Sequence, residues 1–169
     1  LAEGNRFPVI IFSHGLSGYR AQSSGLMSHL ASWGFIVTSA ENDSINLLAI
    51  LSGGMPNVTR GSELIQASYT ALQALNQNDA RWSGRMDLEN IGLMGHSMGT
   101  AAMVAVVGEA FVDSWLALAG AGFGMGDPKP FMIMGGSNDG LASPDSVRNA
   151  FAAQETPQKH LLIVEGAGH

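Results

Sequence analysis

Gly95-His96-Ser97-Met98-Gly99 stands between an apolar run, Ile91 to Met94, and a run of small residues, Thr100 to Val107. The pattern predicts a strand, a sharp turn carrying a serine, and a helix. A serine hydroxyl is a weak nucleophile at neutral pH, so it needs a base within hydrogen-bond reach and donors for the oxyanion that forms on attack. Glycines on both sides lack a Cβ, which lets strand and helix crowd together while Ser97 takes a strained backbone conformation that exposes its Oγ. The amide of Met98, at the helix start, then faces the developing charge. An acid and a histidine follow the serine in the chain order that goes with such a turn. Gly135-Gly136-Ser137-Asn138-Asp139-Gly140 and Glu165-Gly166-Ala167-Gly168-His169 supply both. Each follows a short apolar run, Phe131 to Met134 and Leu161 to Val164, which places Asp139 and His169 just beyond the carboxyl ends of parallel strands. Open α/β sheets bind their ligands at that edge.

Other residues compete for these roles. Serine also caps helices, and Asn138-Asp139-Gly140 is a turn sequence in its own right. Asp127 and Asp145 are rival acids; His14, His29, His96 and His160 are rival bases. His14 and His96 lie inside their motifs as neighbours of the reacting centre, His29 falls on a helix and His160 precedes a strand. Ser97, Asp139 and His169 are therefore the expected nucleophile, acid and base. The glycine-rich stretch Gly120 to Gly126 fails as a dinucleotide loop, since no part of it satisfies Gly-x-Gly-x-x-Gly and Asp127-Pro128 follows instead of a helix. No His, Asp or Glu cluster has metal-ligand spacing, so neither a metal nor another cofactor is expected.

The elements that must hold these residues can be read along the chain. Val9 to Phe12, introduced by Pro8, predicts a strand buried on both faces, ending at Ser13-His14-Gly15. Gln22 to Trp33 predicts a helix, with Leu26, Leu30 and Trp33 at helical spacing and Gly34 as its left-handed stop. Phe35 to Ala40 is the second expected strand. Ser62 to Asn76 is the next helix, with Ile65, Tyr69, Leu72 and Leu75 as its buried stripe. After the serine turn, a helix through Val107 closes at Gly108, Trp115 to Ala119 is a fourth strand, and Gly120 to Pro130 is a loop or single turn. Ser143-Pro144 predicts an N-cap and first turn of a helix running to about Ala153. Leu161 to Val164 completes six strands. Such alternation implies a mostly parallel sheet with helices on both faces and right-handed crossovers. Glu41 to Gly61 is the least regular segment and is expected to be a packed connection.

Composition narrows the classes. With 169 residues, 46% of them hydrophobic, the chain is long enough for one domain with a substantial core. A net charge of −6 and the absence of a Lys/Arg cluster argue against a nucleic-acid partner. No cysteine is present, so disulfides and thiolate ligands are excluded. Ile91 to Gly108 is uncharged and nearly long enough to span a bilayer, but glycines, His96 and Ser97 interrupt it, and a buried strand and helix explain it without a membrane. No basic-then-apolar leader precedes Leu1, so a signal peptide is expected to be removed or never present.

Ser13-His14-Gly15-Leu16, Gly95-His96-Ser97-Met98-Gly99, Asn138-Asp139 and Gly168-His169, in that order, resemble the motifs of α/β-hydrolases. More narrowly the chain is similar to the dienelactone-hydrolase and polyester-hydrolase (cutinase-like) branch, which includes carboxylesterases and relatives of platelet-activating-factor acetylhydrolase. Arg20-Ala21-Gln22-Ser23-Ser24 and Trp33-Gly34-Phe35-Ile36-Val37 carry the polyester-hydrolase likeness. The resemblance implies Ser97 as nucleophile, His169 as base, Asp139 as acid, and the amides of Leu16 and Met98 as oxyanion hole. It puts the side chains of Leu16, Met98, Phe123 and Leu141 along the acyl-side cleft, with Phe123 where the family usually has tryptophan. It implies a serine esterase and points towards secretion; the short connections leave little room for a lid, so an open cleft suited to small or polymeric esters is expected, in a monomer. The first two strands of the family have no counterpart before Pro8, and its helix after the histidine has none here. The likeness thus leaves a trimmed version of a longer enzyme beside a small complete hydrolase. A general carboxylesterase or acetylhydrolase, a serine peptidase or amidase, and a non-catalytic binding domain remain as alternatives.

Overall fold

The computed structural model describes residues 5–121 and 128–169. Six strands, β1 (Phe7–Ser13), β2 (Ile36–Ser39), β3 (Met86–His96), β4 (Ser114–Leu118), β5 (Phe131–Gly136) and β6 (Lys159–Val164), alternate with helices α1 (Ser24–Ser32), α2 (Leu47–Leu51), α3 (Val58–Asn78), α4 (Met98–Val104) and α5 (Pro144–Ala153). The strands form one sheet in the order β2-β1-β3-β4-β5-β6, and every pairing is parallel. This is the architecture expected of an α/β-hydrolase fold. The strand order reverses direction at β1, so the chain first builds outward to β2 and then returns across β3 to β6. The ends of β1 and β3 thereby lie side by side, as a ligand crevice requires.

Alternation along the strands sorts the two faces. Ile11, Leu93, Trp115 and Phe131 occupy one register line, with Val9 and Ile91, and Ala117 and Ile133, beside it. All are buried in a core with Ile65 and Leu72 of α3, Ala102 and Met103 of α4, and Val147 of α5. The alternate residues Ile10, Gly92, Met94, Leu116 and Met132 line the opposite face, which α1 covers through Leu30. A groove of about 820 Å³ remains there between Leu30 and Phe35 on one side and Pro157 to His160 on the other. Helices therefore flank both faces, three on one and one on the other.

Local chemistry explains the helix ends. Ser143 accepts from the Ser146 amide and Pro144 fills the first turn of α5, as the sequence predicts. Gly34 takes φ 93° after α1, the left-handed stop. Asn57 caps α3 by accepting from the Arg60 amide, so that helix begins four residues before the expected Ser62. Its stripe is narrower than predicted: Ile65 and Leu72 are buried, Tyr69 stacks on Phe111 at 4.1 Å, and Leu75 is 38% exposed. The segment expected to be a plain connection contains α2, capped by Asn46, whose side chain accepts from the Ala49 amide. Among the described residues no helix is long and apolar enough to cross a membrane.

Candidate functional site

Ser97 links β3 to α4 with φ 50° and ψ −120°, a conformation that residues with a Cβ rarely take. Close backbone packing enforces it. A Cβ on Gly99 would collide with the carbonyls of Ser13 and His14 at the end of β1, and one on Gly95 would sit 2.8 Å from the backbone of Gly99 and Thr100. Thr100 Oγ1 donates to the Gly95 carbonyl at 3.1 Å, and the Ser97 amide donates to the Leu118 carbonyl at 2.9 Å. Strand, turn and helix are thus fixed to one another and to β4. Among the described residues the other non-glycine positions with positive φ are Ser17 (58°) and Ala119 (45°). All three follow the carboxyl ends of the adjacent central strands β1, β3 and β4. Strain gathers at functional edges of this kind.

Beside the serine, the amide of Met98 opens α4, and the turn Gly15-Leu16-Ser17-Gly18 is closed by a hydrogen bond from the Gly18 amide to the Gly15 carbonyl at 3.1 Å. The Ser17 amide is taken by the Ile45 carbonyl at 2.7 Å. The amides of Leu16 and Met98 have no acceptor among the described residues.

Asp139 and His169 arrive from β5 and β6. The Asp139 carboxylate is fully buried and 2.9 Å from His169 Nδ1 through Oδ2, with Oδ1 at 3.2 Å. Its Oδ1 also accepts from the amides of Leu141 and Ala142, each at 2.8 Å. Burial pushes the carboxyl up, but the hydrogen bonds from His169, Ala142 and Leu141 outweigh that and hold its pKa below the ordinary carboxylate value. The carboxylate is therefore ionised at neutral pH, and it orients the ring with Nδ1–H inward and Nε2 outward.

His169 is tied down by its own loop. The Asn138 amide donates to the Ala167 carbonyl at 2.8 Å, Asn138 Nδ2 to the Gly166 carbonyl at 3.4 Å, and the Gly166 amide to Ser137 Oγ at 2.8 Å. Ser137 and Asn138 thus act as anchors, a role that the sequence reading did not assign. A Cβ on Gly136 would run into the carbonyls of Ala167 and Gly168, so this glycine lets the segment lie across β5. Among the described residues no hydrogen bond joins Ser97 Oγ to His169. His96, next to the serine in sequence, has its ring centroid 5.0 Å from that of His169.

His14 is completely buried; its Nε2 accepts from the Asn42 amide at 3.0 Å and its Nδ1 faces the Gly15 carbonyl at 2.9 Å, so it braces the β1 loop. His29 lies in the last turn of α1, edge-on to Trp33, and His160 faces the groove on β6. Asp145 is exposed in the first turn of α5. Asp127 and Phe123 lie outside the described residues. Leu16 and Leu141 flank the site and are 43% and 82% exposed. Among the described residues no three His, Asp or Glu side chains group as a metal site would require.

Comparison with known proteins adds two findings. The family model for platelet-activating factor acetylhydrolase, isoform II, matches residues 1–52, which include β1, the Leu16 turn, α1 and β2. A platelet-activating factor acetylhydrolase of Cavia porcellus is 22% identical over an alignment that takes in all of this chain and 49% of the relative. The chain thus spans about half the length of the curated relative that it resembles, and both likenesses are to acetylhydrolases.

Proposed function

We propose that this chain hydrolyses carboxylic esters through an acyl-enzyme formed on Ser97. The observation that carries this reading is the buried, ionised Asp139 gripping His169 at the sheet edge where Ser97 sits in its strained turn. In the reaction, His169 Nε2 takes the Ser97 proton as Oγ attacks the ester carbonyl, and Asp139 stabilises the imidazolium. The Leu16 and Met98 amides receive the oxyanion. Collapse expels the alcohol, which takes its proton from His169, and water repeats the cycle on the acyl group. Hydrogen bonds between base and nucleophile commonly tighten only with substrate in place, so a looser resting pair suits this scheme.

The similarity to an acetylhydrolase favours short acyl esters as substrates. The exposed Leu16 and Leu141 favour a second possibility, a bulky or polymeric ester, since both are open lips rather than walls of a closed cavity. Release of soluble acid from polyester film separates the two. A fluorophosphonate probe with p-nitrophenyl acetate hydrolysis tests the central proposal: the wild type labels covalently and turns over, and Ser97→Ala does neither. An unlabelled wild type would point to a binding domain and end the esterase reading.

A further inference from the structure

His96 is not needed for the reaction as written, yet it is the residue closest in sequence to the nucleophile whose ring meets the base. Gln22, in the turn ahead of α1, places its Nε2 amide 2.8 Å from His96 Nδ1. An amide N–H donates, so Nδ1 accepts and the His96 proton resides on Nε2. Space for this bond is reserved by the Leu16 turn. A Cβ on Gly15 would lie 2.8 Å from His96 Nδ1, and one on Gly18 would collide with Gln22 Oε1. The same turn that offers the Leu16 amide therefore packs against both partners.

We propose that Gln22 is a positioning residue that acts through His96, holding that ring in one tautomer, uncharged, as the backing for His169. This inference rests on the esterase reading, because it gives the Gln22–His96 pair its purpose. During attack His169 becomes cationic. A second cation 5.0 Å away would oppose that step, whereas a neutral ring leaves it free. The Gln22 bond exists only with unprotonated Nδ1, so it disfavours protonation of His96. Burial, and then the proximity of His169, push the His96 pKa further below that of an ordinary histidine, against the opposing pull of Asp139. The titratable groups facing the ring are His169 and Asp139; His14, at the end of β1, is turned towards Asn42 and Glu41.

The test is a cycle of Gln22→Glu, Gln22→Ala and His96→Asn, alone and combined. Readouts are kcat/KM for p-nitrophenyl acetate between about pH 5 and 8 and the His96 imidazole titration by NMR. Gln22→Glu reverses the polarity of the bond and should raise the His96 midpoint by about one unit and shift the acid limb of kcat/KM to higher pH. Gln22→Ala should move both in the same direction by less. Neither shift of the limb should survive in the His96→Asn background. An even loss at every pH with an unmoved limb, or a shift that persists without His96, overturns the proposal. Should the wild type neither label nor turn over, the esterase reading fails on its own, and an unmoved NMR midpoint in Gln22→Glu would then sink the pair separately.

Discussion

The two halves of the site are held by different forces. On the Ser97 side, backbone meets backbone: Gly99 lies against the carbonyls at the end of β1, Gly95 against the first turn of α4, and Ser97 keeps a positive φ between them. On the His169 side, the loop after β6 is fastened by hydrogen bonds to Ser137, Asn138 and Asp139, and the ring retains 23% of its exposure. Ser97 is set by packing and His169 by polar contacts. In the proposed reaction, rigidity is thus placed where strain is stored, and freedom where a proton would be carried to and from two partners.

The largest effects should come from breaking the chemistry in each half without disturbing its support. Ser97→Gly should remove essentially all turnover, yet raise stability by about 1 kcal/mol, since glycine adopts φ 50°, ψ −120° without penalty. Urea denaturation beside an ester assay checks both, and a less stable variant would show that the turn is not strained. Asp139→Asn should lower kcat by about 1,000- to 10,000-fold, because the amide no longer stabilises the imidazolium or sets the tautomer. A loss below about tenfold would mean that another group performs this role.

A pair of glycine substitutions sharpens the contrast. Gly99→Ala drives a methyl into the Ser13 and His14 carbonyls, and with both elements buried the cost should reach about 3 kcal/mol. Gly136→Ala meets the carbonyls of Ala167 and Gly168, in a segment held by hydrogen bonds from Asn138 and to Ser137. It should cost little in melting temperature but lower kcat about 10- to 100-fold by displacing His169. Equal stability losses in the two variants would erase the distinction between the halves.

The same contrast explains what was legible in the sequence. Gly95 to Gly99, the β1 run and the loops carrying Asp139 and His169 are backbone-determined features, so local pattern reveals them. Six strands and the Ser143 cap follow for the same reason. Contacts between distant side chains leave no such trace: the Gln22–His96 bond joins residues 74 apart, and Ser137 and Asn138 anchor a segment nearly thirty residues on. Apolar runs also mislead where the fold leaves them uncovered. Leu48 and Leu51 of α2 are 73% and 76% exposed, and Trp33 is 74% exposed at the end of a helix with no buried residue. Hydrophobic spacing predicts a face but not whether anything packs on it.

The smallest expected effect is on stability and isolates the polar half. The folded Asp139 pKa lies below its unfolded value of about 3.9, so its bonds stabilise the native state fully above that pH. As pH falls through the lower folded value, protonation removes the charged acceptor from His169, Leu141 and Ala142, and the stabilisation is lost. Asp139→Asn lacks this dependence. The stability difference between wild type and Asp139→Asn, read from urea midpoints at a series of pH values, should therefore be constant near neutrality and shrink below about pH 4. Ser97→Gly, in the packed half, should show a difference from wild type that does not change with pH. A parallel acid dependence in both variants would mean that the two halves respond as one unit and that the loop is not separately held.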